Sequence, residues 1–298
     1  MRRVPVALAA MALALGAACG GGGAGDGRPQ VVAAFYPLFE AAQRVGGDLV
    51  QVRNLTPAGS EPHDLELNSR QVDQIEDAAV VVFLGRGFQP ALEKAAERAK
   101  GTKVDVLSGL SDLRPAGEGD DKLEVDPHVW LDPTLLKAIV GEVVGALSTA
   151  DPANRATYEA NAGAYSRELD ELDAAYSAGL ASCDRRVLVT AHAAFGYLAA
   201  RYNLTEEAIA GLEPESEPSP QRLADLARTV RAEGTTTIFY ETLVSPKVAE
   251  SLAREAGVRT AVLDPLEGLS DSDAKAGRTY ISTMKENLAA IRSALGCR

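Results

Sequence analysis

Residues 151–180, "DPANRATYEANAGAYSRELDELDAAYSAGL", decide the fold. Tyr158, Tyr165, Leu169, Leu172, Tyr176 and Leu180 recur at intervals of seven, four, three, four and four, which is one face of a single helix. Arg155, Glu159, Arg167, Glu168 and Glu171 are left for the wet side. Such a helix is longer than an ordinary crossover between strands, so residues 151–182 read as a connector between two folded units.

On both sides of the connector, short Val-rich runs alternate with amphipathic stretches. Strands are expected at 31–36, 51–56, 80–84 and 103–107, and helices at 37–45, 65–78 and 90–100. After Cys183 the alternation restarts with "RRVLVTAH", "TTTIFYE" and "RTAVLDP" as strands and helices near 221–232, 247–256 and 275–295. Strand followed by helix implies parallel pairing with helices on both faces. The predicted class is therefore α/β: two similar lobes, residues 30–150 and 183–298, each a mostly parallel sheet flanked by helices, joined by one long helix.

The N-terminus stands apart from these lobes. Arg2 and Arg3, an apolar run over residues 4–15 and the small residues before Cys19 have the layout of a secretory signal over residues 1–18. The run is too short to span the roughly 30 Å apolar core of a bilayer. Cys19 after small residues resembles a lipobox with leucine one place further upstream than usual, so a lipidated Cys19 is expected. The glycine-rich residues that follow, up to residue 29, have the composition of a flexible tether. The mature chain would then be exported and held through its lipid on the outer face of the cell membrane, or periplasmic. In an oxidising compartment the two remaining thiols, Cys183 and Cys297, are expected to form a disulfide.

Composition narrows the partners. Formal charge is −12, and without Arg2 and Arg3 it falls to −14, with 28 basic residues against 42 acidic, which argues against nucleic acid. The acidic run "GEGDDKLE" reads as a solvated loop.

Only three histidines occur, and none lies inside a helical pattern. His63 falls in "GSEPHDLE", His128 in "VDPHVWLDP", and His192 ends the strand "RVLVTAH". Ligands of open α/β sheets bind beyond the carboxyl ends of the strands, which is where such residues emerge. Intervals of 65 and 64 residues exclude a local zinc-finger or H-E-x-x-H geometry, so any shared site is assembled by the fold. Asp264 ends "RTAVLD" and Glu241 ends "TTTIFYE" at the same edge, and Asp-Pro is also a common turn device.

Six ordered motifs, "SEPHDLELNSRQV", "DPHVWLDP", "VTAHAAFGYLAARYNL", "GLEPESEPSP", "IFYETLVSPKVAESLAREAGV" and "LDPLEGL", resemble the metal-specific substrate-binding proteins of bacterial ABC transporters, the ZnuA-like group. The resemblance implies two lobes on a rigid helix, a metal held in the cleft between them, a monomer, and delivery to an ABC permease rather than catalysis. Carried over, it gives His63, His128, His192 and Asp264 as ligands, with Glu241 as a neighbour that orients a histidine or substitutes as a ligand. Three imidazoles and one carboxylate suit Zn²⁺, whereas Mn²⁺ prefers more oxygen. Manganese-handling members of that group typically carry glutamate where this chain has His192. A histidine-rich loop found in many zinc members has no counterpart here, since residues 64–127 contain no histidine.

Rival readings are a manganese or broad divalent carrier, a secreted zinc hydrolase with Glu241 as general base, and a surface adhesin with incidental metal binding. For "VDPHVWLDP" itself, Asp132 is expected to cap, and Pro133 to begin, a helix with apolar Leu135, Leu136, Ile139, Val140, Val143, Val144 and Leu147. Pro127 stiffens the turn that presents His128. An extended segment would put His128 and Trp130 on one side, with Trp130 anchoring the loop.

Overall fold

The computed structural model describes residues 27–117 and 123–298. The expected signal peptide, the lipidated Cys19, most of the tether and the centre of the acidic loop lie outside these described residues.

The first lobe contains β1 (Gln30–Ala33), α1 (Tyr36–Gly46), β2 (Gln51–Asn54), α2 (Ser69–Asp77), β3 (Val80–Phe83), α3 (Pro90–Ala96), β4 (Thr102–Asp105) and the short α4 (Val106–Gly109). Then come α5 (Pro133–Ala150) and the connector α6 (Arg155–Gly179). The second lobe contains β5 (Val187–Thr190), α7 (Gly196–Arg201), β6 (Thr205–Ala208), α8 (Pro220–Ala232), β7 (Thr237–Tyr240), α9 (Lys247–Ala256), β8 (Arg259–Val262), α10 (Asp271–Lys275) and α11 (Tyr280–Leu295). Both sheets are parallel, ordered β2-β1-β3-β4 and β6-β5-β7-β8, so the lobes repeat one topology. In register, Val31 lies opposite Val52 and Val80, which makes β1 a doubly covered central strand; its Val31 and Val32 and all four residues of β3 are buried.

Local sequence explains the helix starts. Asp132 accepts the N–H of Thr134 at 2.7 Å and Pro133 occupies the first turn, as the sequence implies. Asn68 and Gln71 form a reciprocal capping box, so α2 begins at Ser69 and the residues before it remain a loop. Thr279 caps α11 in the same way, so the helix expected at 275–295 begins at Tyr280, and the separate short α10 ends at Lys275.

One strand escaped the sequence reading. β6 has the sequence TEEA, two glutamates in four residues, and only its last residue is buried. It is an edge strand paired with β5 alone, so its outer side needs no apolar residues.

All six residues of the predicted α6 face are buried. The helix holds both lobes: Asn161 Nδ2 donates to the carbonyl of Val45 at 2.9 Å, and Tyr176 donates to that of Met284 at 2.7 Å. The same apolar core runs from β1 and β3 through α5 and α6 to α11, while a smaller core between β7, α8 and α9 belongs to the second lobe alone. A shared core resists lobe separation because opening it would expose apolar surface to water. Cys183 and Cys297 form a disulfide that ties the end of α11 to the segment before β5.

Candidate metal centre

The three histidines, more than 60 residues apart in sequence, meet between the lobes. His63 comes from the loop after β2, His128 from the turn before α5, and His192 from the loop after β5. Their Nε2 atoms converge on one oxygen: Glu267 Oε1 lies 3.3 Å from His63, 3.2 Å from His128 and 3.2 Å from His192. His128 Nε2 and His192 Nε2 are 3.3 Å apart, and all four ligand atoms lie within 4.8 Å of one another. A regular tetrahedron with edges of about 3.3 Å has its centre about 2.0 Å from each corner, which is the length of a zinc–imidazole or zinc–carboxylate bond.

Each histidine loop is fixed by its own neighbours. Asp126 Oδ1 accepts from the backbone N–H of His128 at 3.0 Å and lies 2.8 Å from Nδ1. Asp126 is in turn approached by Gly196, where a Cβ would come within 2.8 Å of Oδ2, so a side chain there would displace the carboxylate. Glu241 Oε1 accepts from the N–H of His192 at 3.2 Å and lies 2.6 Å from its Nδ1. In their neutral form, with Nδ1–H given to these carboxylates, the two rings turn their Nε2 lone pairs inward. Glu241 is bonded to His192 at Nδ1 and is not one of the four converging groups.

Asp264 does not join them. Its carboxylate is buried and accepts the N–H of Leu266 at 2.8 Å, while Asn287 bonds its backbone on both sides, at 3.0 and 2.7 Å. Leu266 adopts a φ of 60°, a left-handed conformation rare for a branched residue, and this bend turns the following Glu267 into the cleft. The structure thus does not bring the Asp264 side chain to the three histidines: it builds the turn, and Glu267, three residues on in the same "LDPLEGL" motif, is the carboxylate that faces them. That motif holds two acids, and the turn-forming habit of Asp-Pro was the available signal for preferring the second.

The segment from Val129 to Leu131 is a 3-10 turn rather than an extended strand, so strand alternation does not explain the pair of rings. Trp130 is nonetheless fully buried, 5.1 Å from the His128 ring and 4.7 Å edge-on from Phe35. Phe88 packs edge-on against His63 at 4.7 Å.

Electrostatics follow from this crowding. Burial alone would raise the Glu267 carboxyl, but the imidazoles, His192 foremost, hold it well below the usual range. Burial lowers His63. It opposes the charged forms of His128 and His192 too, yet Asp126 and Glu267 raise the first and Glu241 and Glu267 raise the second. Asp264 is pushed up to about 6 by burial.

The chain matches the ZnuA family, described as zinc-uptake complex component A, periplasmic, over residues 31–294. It belongs to that family. Among ZnuA relatives, it is 37% identical to the zinc-binding lipoprotein AdcA of Streptococcus pneumoniae over 98% of this chain and 61% of that protein. The chain thus spans less than two thirds of AdcA. It is 34% identical to the high-affinity zinc uptake system protein ZnuA of Bacillus subtilis, over 89% of this chain and 87% of that one. The crystal structure of the Zn(II)-bound ZnuA-like domain of S. pneumoniae AdcA superposes with a TM-score of 0.77 at 38% identity, covering 90% of this chain and 99% of the domain.

Proposed function

We propose that this protein captures Zn²⁺ outside the cytoplasm and delivers it to an ABC permease for import, with His63, His128, His192 and Glu267 as its ligands. The observation that carries the reading is the convergence of three imidazole nitrogens on one carboxylate oxygen at 3.2–3.3 Å. When neutral, His128 and His192 turn Nε2 lone pairs toward this oxygen, and Glu267 Oε2 is buried without a hydrogen-bond partner. Only a cation or bound protons can stabilise so electron-rich a group of atoms.

Nitrogen-rich donors, with four of their six separations at 3.2–3.3 Å, favour zinc over the more oxygen-seeking manganese. Four protein donors equal the number in closed zinc sites, whereas hydrolytic sites leave a position for water, so the arrangement favours holding the ion over hydrolysis. Ligands come from both lobes, so zinc would bridge them, and release at the permease would require local movement of the ligand loops. A lipid on Cys19 would keep the protein close to its permease, as a monomer. Elemental analysis of the purified protein, followed by competition titration with Mn²⁺, tests the reading. One zinc per chain, resistant to excess manganese and lost in His192→Ala, is expected; stoichiometric zinc in that variant would overturn the ligand assignment.

A further inference from the structure

The second sheet has two edges, and the metal-facing loops use only one of them. His192, Glu241 and Glu267 follow the carboxyl ends of β5, β7 and β8. At the opposite, amino-terminal edge a cavity of about 380 Å³ lies between the residues that lead into those same strands: Arg185 before β5, Thr235 and Thr236 before β7, and Arg259 at the start of β8, with Ser293 of α11 alongside. Cavities of about 300–1,000 Å³ accept small molecules.

Two guanidiniums line this cavity. Arg185 donates from Nε to the Ala294 carbonyl at 3.2 Å, and Arg259 donates from Nη2 to the Ser293 carbonyl at 3.3 Å and from Nε to the Thr237 hydroxyl at 3.1 Å. The carbonyl bonds cap the last turn of α11, yet they use only part of the five N–H donors that each group carries. Among the described residues neither guanidinium has a carboxylate at ion-pair distance: Asp184, which flanks Gly296 together with Arg185, is paired with Arg298 at 3.3 Å. Shortage of acid is not the reason, since the chain has 42 acidic residues against 30 basic. A third donor belongs to the same wall. Thr235 is 8% exposed, and its hydroxyl is buried without a hydrogen-bond partner, an arrangement that destabilises a fold unless a ligand supplies the acceptor.

We propose that this cavity binds a phosphate group, with Arg185 and Arg259 on its oxygens and the Thr235 hydroxyl donating to another. Guanidinium forks match phosphate in both shape and charge. Donors from three separate segments of the chain suit a tetrahedral anion better than a planar carboxylate, which offers two oxygens. The space beyond the donors accommodates what the phosphate carries, whether a lipid headgroup or a soluble ester. The site does not depend on the metal centre, because it occupies the other edge of the sheet, and an occupied cavity leaves all four converging groups untouched.

Isothermal titration of the full chain in about 150 mM chloride, where loose surface attraction is screened, tests this with three probes: inorganic phosphate, glycerol phosphate and the soluble lipid dihexanoyl phosphatidylglycerol. Saturable binding of one equivalent, with a Kd below about 1 mM for the best of the three, is expected. The tightest probe names the source: the ion itself, a soluble monoester, or the diester of a lipid headgroup. Arg259→Gln should weaken that binding by about tenfold or more through loss of a charge-assisted bond, and Thr235→Val by about threefold. Both variants should bind zinc as the wild type does, which shows that they are folded. Absence of saturable binding for all three probes, or an unchanged affinity in either variant, would overturn the proposal. Neither result bears on the zinc site, whose own test is the metal content of His192→Ala.

Discussion

Trp130 donates its indole N–H to the carbonyl of Pro265 at 2.7 Å. The turn that presents His128 from the first lobe is thereby bonded to the turn that presents Glu267 from the second. Tyr280 reinforces the link by donating its hydroxyl to the Trp130 carbonyl at 2.7 Å. Trp130→Phe keeps the ring but leaves the buried Pro265 carbonyl without its donor, a loss of about 1–3 kcal/mol. Chemical denaturation of the metal-free variant should show that loss, and zinc titration should show weaker binding.

The chain's one tryptophan should also report the ion. With its ring 5.1 Å from that of His128, Trp130 should change its emission when Zn²⁺ replaces protons on the imidazoles. Titration of the wild type should saturate at one equivalent, and emission that ignores zinc in a protein shown to bind it would mean that the ring senses only its apolar neighbours.

The two acids of "LDPLEGL" should separate by phenotype. Glu267→Gln removes a charged donor facing three imidazoles and should reduce zinc affinity by more than about 100-fold, whereas Asp264→Asn keeps an oxygen for the Leu266 N–H and should cost about tenfold or less. Isothermal titration with a competing chelator measures both. Equal losses would mean that the turn and the ligand cannot be distinguished.

Loss of an orienting carboxylate should be intermediate. Glu241→Gln and Asp126→Asn each weaken the hold on an Nδ1–H, and disturbing such partners typically lowers metal affinity by about 10–100-fold. Extended X-ray absorption of the loaded variants should still count three imidazoles.

Protons compete with the ion. His128 and His192 are raised above the ordinary histidine value by carboxylates that outweigh their burial, so in the metal-free protein they hold protons into and above the usual range around pH 6.5. In that form the raised groups add stability that is fully present below the unfolded value and is lost as pH rises through their folded values. Zinc binding requires the neutral rings, so affinity rises over the same window. The rise in Tm on adding zinc should therefore grow between pH 5.5 and 8, starting from a higher pH than unperturbed imidazoles would give. Calorimetry across that range checks the sign.

The bridge between Cys183 and Cys297 closes a separation of 114 residues and lies at the amino-terminal side of the second sheet, away from the ligand loops. Cys183→Ser with Cys297→Ser should cost about 2–5 kcal/mol of stability while changing zinc affinity less than about twofold. Thermal unfolding and zinc titration of the double variant test this pair of expectations.

What the sequence determined alone is what local periodicity can encode. The α6 face, the Asp132-Pro133 helix start and the strand–helix alternation each depend on residues within a few positions of one another. Scarcity did the rest for His63, His128 and His192, which a chain with no other histidine set at strand and loop ends. Tertiary structure decided which acid joins them. That choice rests on the left-handed turn at Leu266 and on Asn287, 23 residues away, holding Asp264 by its backbone. It likewise decided that β6 is a strand, because its order comes from pairing with β5 and not from its own glutamates. Distances between side chains brought together by folding are set by packing of the whole chain, and no short window of sequence contains them.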